Sequence, residues 1–258
     1  MIIEWLHEDR SKLRKLFDSH TSFRAVIFPA LDQGRGNMWS NSLEAPTVAR
    51  LQLVIINVLA GDPTIAEATE LIQMIEPLQL VIGPNEGWNQ LIRDLWGEQL
   101  GIQERTLFSP QSLDIEHLRR LRNQLPDGYR LERMDLETIK RVDKRKAMHI
   151  PTFFGSSKEF HKSGIGYCIK FEDEAVCMAS TFTPYTNEFE IQIDTIDPFH
   201  RQKGLATVAS AALIIHALEN GIVPQWDAAN EISFRLALKL GYTNPTHWEA
   251  YYLKPKTW

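Results

Sequence analysis

The sequence predicts a mixed α/β fold (α+β), with a mostly antiparallel sheet that is flanked by helices. Three observations lead to this prediction. Polar and apolar residues alternate along EFEIQIDTI (188–196), as they do in a strand with one solvated face. Two further strand-like runs, GIGYCIKFE and EAVCMASTFT, meet at Asp173 as a hairpin. Helical patterns lie between the strands, which is typical of helices layered on a sheet.

Composition limits the class of protein. The 258 residues suffice for one large domain or two of about 100–150 residues. The formal net charge is -5 and no long basic run is present, so we expect no nucleic-acid partner. Charges begin at Glu4 and no apolar run reaches the ~20 residues of a membrane span, so we expect a cytoplasmic protein without a membrane partner. Cys168 and Cys177 are predicted to be reduced core residues rather than a disulfide or a metal site.

The best candidate for a domain boundary is the stretch Leu125-Pro126-Asp127-Gly128, which combines a proline with an Asp-Gly turn pair. It follows a predicted amphipathic helix, SLDIEHLRRLRNQL, and precedes a strand, YRLERM. We therefore predict an N-terminal mixed α/β domain over residues 1–127 and a second domain over residues 128–258.

The first domain carries no chemical motif and is predicted to be non-catalytic. Its patterns indicate, in order, a helix over 5–17, a strand near 23–31, a segment over 45–61 that could be either, a helix over 65–78, a strand over 78–83 and a helix over 87–101.

The second domain is more regular. Its patterns predict, in order, a strand over 129–134, helices over 136–146 and 158–164, strands over 164–172, 174–183 and 188–196, a helix over 204–220, a strand over 223–228, a helix over 230–240 and a strand near 248–255.

The segment from Arg201 to Thr207 is the first candidate for a binding site. A helix N-terminus leaves backbone N–H groups unpaired and attracts anions. Gly204 allows close approach of a ligand, and Arg201 and Lys203 add positive charge. The alternative interpretation is a solvated turn before a helix. The phosphate-loop patterns GxxxxGK[ST] and GxGxxG both fail here.

The strand before this loop is the second candidate, because Glu190 and Asp194 share its polar face. A solvated strand face would explain the same pattern. Asn230 and Ser233 open the helix that follows VPQWDA, where helix capping is the simpler interpretation.

Two stretches, DPFHRQKGLAT and WDAANEISFRLALKLGY, resemble the pyrophosphate-loop and Asn-containing signatures of the GCN5-related N-acetyltransferase (GNAT) superfamily. The resemblance spans roughly residues 129–258 and is especially close to a bacterial subgroup typified by the zwittermicin A resistance acetyltransferase. It implies an enzyme that uses acetyl-CoA as cosubstrate and a small-molecule primary amine as acceptor. The subgroup likeness does not identify that amine. The alternative is a non-catalytic acyl-CoA-binding or sensing module with the GNAT fold.

The resemblance also implies roles for individual residues. The pyrophosphate would be held by the backbone amides of Gln202, Lys203, Gly204, Leu205, Ala206 and Thr207, with the Arg201 and Lys203 side chains nearby. The pantetheine arm would pair with the backbone of Thr195 and Ile196 and would contact Asn230, with Ser233 facing the cofactor.

Glu190 falls at the position of the general base in histone-type members, and Asp194 is the second candidate. Many members place a tyrosine acid where this chain has Ala237, so Tyr185, Tyr251 or Tyr252 would have to serve, or no acid is needed. The first domain is expected to be a degenerate copy of the GNAT fold, forming a wall of the acceptor pocket or the interface of a homodimer.

Overall fold

A computed structural model describes residues 1–6, 10–143, 147–185 and 187–255. The chain divides into two compact units, Met1–Arg105 with His247–Trp258 (unit 1) and Thr106–Thr246 (unit 2). The predicted functional division into residues 1–127 and 128–258 stays a prediction.

Unit 1 is built on a sheet with the strand order β1-β2-β3-β4-β5-β12. Its strands are β1 (Ile3–Glu4), β2 (Asn37–Ser40), β3 (Val48–Leu53), β4 (Ile56–Gly61), β5 (Leu80–Ile82) and residues 247–253 of β12 (Thr243–Leu253). Its helices are α1 (Ser11–Arg14), α2 (Arg24–Asp32), α3 (Ala66–Gln73) and α4 (Glu86–Trp96). β4 and β5 are parallel, whereas the other neighbouring strands run antiparallel. The core gathers around the fully buried Trp88 and Tyr251.

Two predictions for the first half of the chain are wrong in detail. Residues 23–31 were predicted to form a strand and instead form helix α2, which is buried on nearly every side. A short apolar run has no periodicity that separates a buried helix from a buried strand. The predicted helix over 5–17 is reduced to α1 followed by a 3₁₀ turn at Lys15–Ser19, and residues 7–9 of it lie outside the described residues. The ambiguous segment 45–61 forms strands β3 and β4.

Unit 2 is built on a sheet with the strand order β6-β11-β10-β9-β8-β7. Its strands are residues 106–109 of β6 (Leu100–Ser109), β7 (Tyr129–Arg133), β8 (Gly166–Phe171), β9 (Glu174–Thr181), β10 (Glu188–Asp194) and β11 (Val223–Ala228). Its helices are α5 (Ile115–Arg122), α6 (Leu136–Asp143), α7 (Ser157–Ser163), α8 (Leu205–Glu219) and α9 (Glu231–Leu240). β10 and β11 are parallel and the remaining neighbours are antiparallel. The predicted mixed α/β fold with a mostly antiparallel sheet is confirmed.

Helix α8 is the centre of the unit 2 core. Most of its residues are buried, and it packs on the sheet face that carries Phe189, Ile191 and Ile193. The polar residues of β10 therefore point to the opposite face. Cys168 and Cys177 are buried free thiols, and burial raises the pKa of Cys168 to about 11, which makes it a poor nucleophile at neutral pH. Among the described residues no helix combines the length and the apolarity that a membrane crossing requires.

Each sheet is completed by a strand from the other half of the sequence. Residues 106–108 of β6 pair with β11 in unit 2, and residues 251–252 of β12 pair with β5 in unit 1. Helix α5, which also precedes residue 127, adds Leu118 and Leu121 to the core beneath α8. A cut at residue 127 would therefore remove core material from the second half.

We expect the isolated fragment 128–258 not to fold cooperatively. It lacks Phe108, Leu118 and Leu121, which are at most 5% exposed. Losing each such side chain costs about 2–5 kcal/mol, whereas a domain is stable by only about 5–15 kcal/mol. Circular dichroism during heating would check this, with fragment 106–246 as the matched control. A sharp unfolding transition in fragment 128–258 would contradict the expectation.

Candidate active site

Strands β10 and β11 separate partway along their length. They pair in parallel from Glu188 to Glu190, opposite Val223 to Gln225. β10 then continues to Asp194 beside β9 only, while β11 continues to Ala228 beside β6. Residues 191–194 therefore present an edge towards β11 that has no strand partner within the described residues. We call this segment the open edge of β10.

Glu190 lies where the two strands begin to separate. It is 8% exposed, and its Oε1 accepts the Asp227 N–H at 2.6 Å. This bond fixes the carboxylate between the two strands and satisfies part of the hydrogen-bonding capacity that a buried carboxylate needs. Asp194, the second predicted candidate, lies on the same face at the far end of the open edge and is half-buried.

The loop 197–204 joins the open edge to helix α8, and we call it the α8 loop. It contains a 3₁₀ turn at Pro198–His200 and two residues with positive φ, Gln202 at 61° and Gly204 at 77°. The first bond into the helix runs from the Val208 N–H to the Gly204 carbonyl. The amides from Gln202 to Thr207 donate to no backbone carbonyl of the described residues. Successive unpaired amides at the start of a 15-residue helix are an arrangement that can bind an anion.

Two side chains of the α8 loop are anchored to Tyr129, the first residue of β7. The Tyr129 hydroxyl lies 2.7 Å from Nδ1 of His200 and accepts a hydrogen bond from Nζ of Lys203 at 3.0 Å. The Lys203 ammonium also lies 5.7 Å from the centre of the Tyr129 ring. Sequence reasoning missed Tyr129, because no local pattern links residues more than 70 positions apart. Its contacts hold one positive charge beside the unpaired amides.

Thr195 and Ile196 follow the open edge, and their backbone is partly engaged. The Ile196 N–H donates to the Val176 carbonyl at 2.8 Å. Of the Ile196 backbone groups, only the carbonyl is therefore left to bind a ligand. The Thr195 hydroxyl points at Sγ of Cys177, 3.8 Å away.

Asn230 and Ser233 lie at the start of α9, where the sequence places them. Asn230 is the N-cap, and its side-chain oxygen accepts the Ser233 N–H at 3.0 Å. The Ser233 hydroxyl accepts the Trp226 indole N–H at 3.2 Å. The capping interpretation is therefore correct for Asn230, although capping leaves its side-chain NH₂ group unused.

Position 237, where many GNAT members have a tyrosine, holds alanine in this chain. Ala237 is fully buried in the core under α8, and its methyl group cannot donate a proton. Tyr185 packs against Phe189 on the face opposite to Glu190, and burial raises the pKa of Tyr185. Tyr251 belongs to the core of unit 1. A different tyrosine, Tyr242, is buried in unit 2, donates to the Pro224 carbonyl and has its pKa raised by burial and by Glu190.

Sequence reasoning also missed a buried cluster on the polar face of the sheet. Nε2 of His149 lies 3.1 Å from the Ser180 hydroxyl, and the His149 ring stacks on Phe182. His149 precedes a π-helical turn at Ile150–Phe154, a rare conformation that is enriched at functional sites. The segment carries no periodic signal, so only the structure reveals that it lies over β9.

We expect His149 to make the protein less stable in acid. Burial lowers the pKa of His149 from 6.5 to about 4, so the folded protein stays neutral there while the unfolded chain takes up a proton below pH 6.5. The free energy of unfolding therefore has its full value above pH 6.5 and falls as the pH is lowered towards 4. At pH 5 this loss is about 2 kcal/mol. Urea unfolding at pH 7 and pH 5 measures it. We expect a smaller pH-dependent loss in His149→Gln than in the wild type.

The matched control for this prediction is His161→Gln, because His161 is exposed on α7. His20 in unit 1 is also buried with its pKa lowered to about 4, so some acid sensitivity should survive in His149→Gln. Equal losses in His149→Gln and the wild type would show that His149 is protonated as easily in the folded protein as in the unfolded chain.

The chain belongs to the GNAT acetyltransferase family, whose model matches residues 14–251. It is 27% identical over 170 residues to an uncharacterized N-acetyltransferase, YdfB, from Bacillus subtilis (strain 168). That match covers 65% of this chain and 63% of the relative, so the chain spans just under two thirds of the relative's length.

Solved structures share the fold. A GCN5-related N-acetyltransferase-like protein from Streptococcus suis 89/1591 superposes with a TM-score of 0.79 at 24% identity, covering 96% of this chain and 99% of that one. A tandem GNAT protein from the clavulanic acid biosynthesis pathway, solved without AcCoA, gives a TM-score of 0.57 at 12% identity, covering 98% and 97%. At these identities the likeness concerns the fold alone.

Proposed function

We propose that the protein transfers an acetyl group from acetyl-CoA to a primary amine of a small molecule. The observation that carries this proposal is the open edge of β10, which begins at a buried carboxylate, Glu190, and leads to the unpaired amides of the α8 loop. Membership of the GNAT acetyltransferase family supports a transferase.

The residues of this region fit the cofactor. The amides from Gln202 to Thr207 would bind the pyrophosphate, with the side chains of Arg201 and Lys203 adding charge. The amide groups of a pantetheine arm would extend the sheet along the open edge towards Thr195 and the Ile196 carbonyl. The unused NH₂ group of Asn230 and the hydroxyl hydrogen of Ser233 are further donors. Acetyl-CoA, when bound, supplies the activated acetyl thioester.

Glu190 is the proposed general base. An amine with a pKa near ~10 is mostly protonated at neutral pH and cannot act as a nucleophile. The Glu190 carboxylate, directly or through a water, accepts the proton from the amine nitrogen and passes it to solvent. Asp194 is the second candidate for this step. A thiol with a pKa near ~8.5 leaves as a thiolate without an acid, which is compatible with Ala237 at the usual tyrosine position.

Unit 1 is proposed to be a degenerate copy of the same fold. The succession β2-β3-β4-α3-β5 repeats the succession β8-β9-β10-α8-β11, including a parallel pair joined by a helix. The segment 61–65 before α3 carries no basic residue, which fits a copy without a pyrophosphate site. The tandem GNAT structure shows that two such domains occur in one protein. The likeness to the zwittermicin A resistance subgroup, the acceptor-wall role and the homodimer likewise stay proposals.

The direct test is amine-dependent release of thiol from acetyl-CoA. We expect CoA to appear in proportion to acetylated amine, over a slower background without amine. Binding of acetyl-CoA without release against any primary amine would instead identify a non-catalytic acyl-CoA-binding module.

A further inference from the structure

The carboxylate of Glu190 has an aromatic neighbour on the same face of the sheet. The Phe182 N–H donates to the Glu190 carbonyl at 2.8 Å, so the two residues lie directly opposite each other, one position beyond the end of β9. Side chains of directly opposite residues project to the same face, with their Cβ atoms about 5 Å apart. A molecule that brings an amine to Glu190 therefore meets the Phe182 ring as well.

Phe182 belongs to a group of three rings that we call the aromatic wall: His149, Phe153 and Phe182. The Phe182 ring stacks on His149 with centroids 5.8 Å apart at 21°, and it packs against Phe153 at 4.8 Å. His149 and Phe153 are buried, whereas Phe182 is half-buried and forms the outer surface of the wall. The wall thus presents a flat, apolar ring to a ligand, supported from behind by buried side chains.

A second carboxylate, that of Asp227, lies on the same face of the sheet as Glu190. Gln225 of β11 lies opposite Glu190, and its side chain donates a hydrogen bond to the Glu188 carboxylate, so Gln225 is on the face of the sheet that carries Glu188 and Glu190. Asp227 follows Gln225 by two residues along β11 and is therefore on the same face. No lysine or arginine occupies the same-face positions of β10 and β11. His149 is neutral at pH 7, so the aromatic wall carries neither a positive charge nor a carboxylate.

We propose that the acceptor is a primary amine joined by a short linker to an aromatic or other flat apolar group. The ammonium group would be attracted to the carboxylates of Glu190, Asp194 and Asp227, and the flat group would lie on Phe182. A polyamine whose chain lies along Phe182 would place its second charge against the apolar wall, where it loses water without gaining a carboxylate. This inference rests on the proposed function and specifies the substrate class of the same site.

The test compares 2-phenylethylamine with 1,4-diaminobutane and n-propylamine in the wild type and in Phe182→Ala. We expect kcat/KM for 2-phenylethylamine to exceed that for each of the other amines by about 10-fold or more, mainly through KM. In Phe182→Ala this preference should disappear, because kcat/KM for 2-phenylethylamine should fall about 10-fold more than kcat/KM for n-propylamine. Phe234→Ala is the matched control, because Phe234 is a half-buried aromatic that packs on Phe108 at the opposite face.

Calorimetric binding of 2-phenylethylamine in the presence of CoA gives a second readout that does not need turnover. Tight binding that weakens about 10-fold in Phe182→Ala and not in Phe234→Ala supports the substrate class even if no amine is acetylated, in which case only the proposed reaction fails. A preference for 1,4-diaminobutane, or equal effects of Phe182→Ala on all three amines, overturns the inference and leaves the acetyltransferase proposal standing.

Discussion

Replacing Glu190 with glutamine is expected to lower kcat/KM for any acetylated amine by at least about 100-fold, the usual contribution of a general base. The substitution removes the proton acceptor but keeps the shape of the side chain. The glutamine carbonyl oxygen can still accept the Asp227 N–H that Oε1 of Glu190 accepts at 2.6 Å. The fold and the affinity for acetyl-CoA should therefore stay close to those of the wild type.

The matched control is Glu188→Gln on the same strand and the same face. Glu188 lies before the point where β10 and β11 separate, and its carboxylate accepts a hydrogen bond from Gln225. We expect this variant to retain activity within about 3-fold, as is usual for a change outside the reaction centre. If Glu190→Gln were as active as Glu188→Gln, Glu190 would have no part in the proton transfer, and Asp194→Asn would be the next variant to measure.

The second half of the chain was predicted well because its signals are local. The alternation in 188–196, the hairpin at Asp173 and the glycine at position 204 each determine structure within a few residues. These patterns also placed Glu190 within the strand that leads directly into the α8 loop. Their catalytic and binding roles stay predictions.

The missed features depend on contacts between distant segments. The pairing of β12 with β5, and of β6 with β11, joins strands that are far apart in the sequence, and the register of such pairs is not encoded locally. The bond between His149 and Ser180 likewise spans 31 positions. Helix α2 was misread because a segment buried on nearly every side has no amphipathic period.

Saturating acetyl-CoA is expected to raise the midpoint of thermal unfolding of the wild type, and Gly204→Val should abolish this shift. At a concentration about 100 times the dissociation constant, binding stabilises the folded state by about 2.7 kcal/mol. In a chain of this size that corresponds to roughly 5–10 °C. Gly204 has φ +77°, which a β-branched residue adopts only with strain, so the substitution should disturb the amides of the α8 loop and place a side chain where the pyrophosphate would lie.

Gly221→Val separates this effect from general destabilisation. Gly221 lies just beyond the other end of α8 and has φ +68°. A Cβ added at Gly221 or at Gly204 would meet no neighbouring atom within 4 Å, so both variants carry the same kind of backbone strain and neither Cβ clashes with its surroundings. Each should lower the midpoint without ligand by a similar amount, equivalent to about 1–2 kcal/mol. Only Gly221→Val should retain the ligand-induced rise. If acetyl-CoA raised the unfolding midpoint of Gly204→Val as much as that of the wild type, the α8 loop would be a turn without a role in binding. If acetyl-CoA raised the midpoint of neither variant, strain at either end of α8 would be enough to disrupt the site.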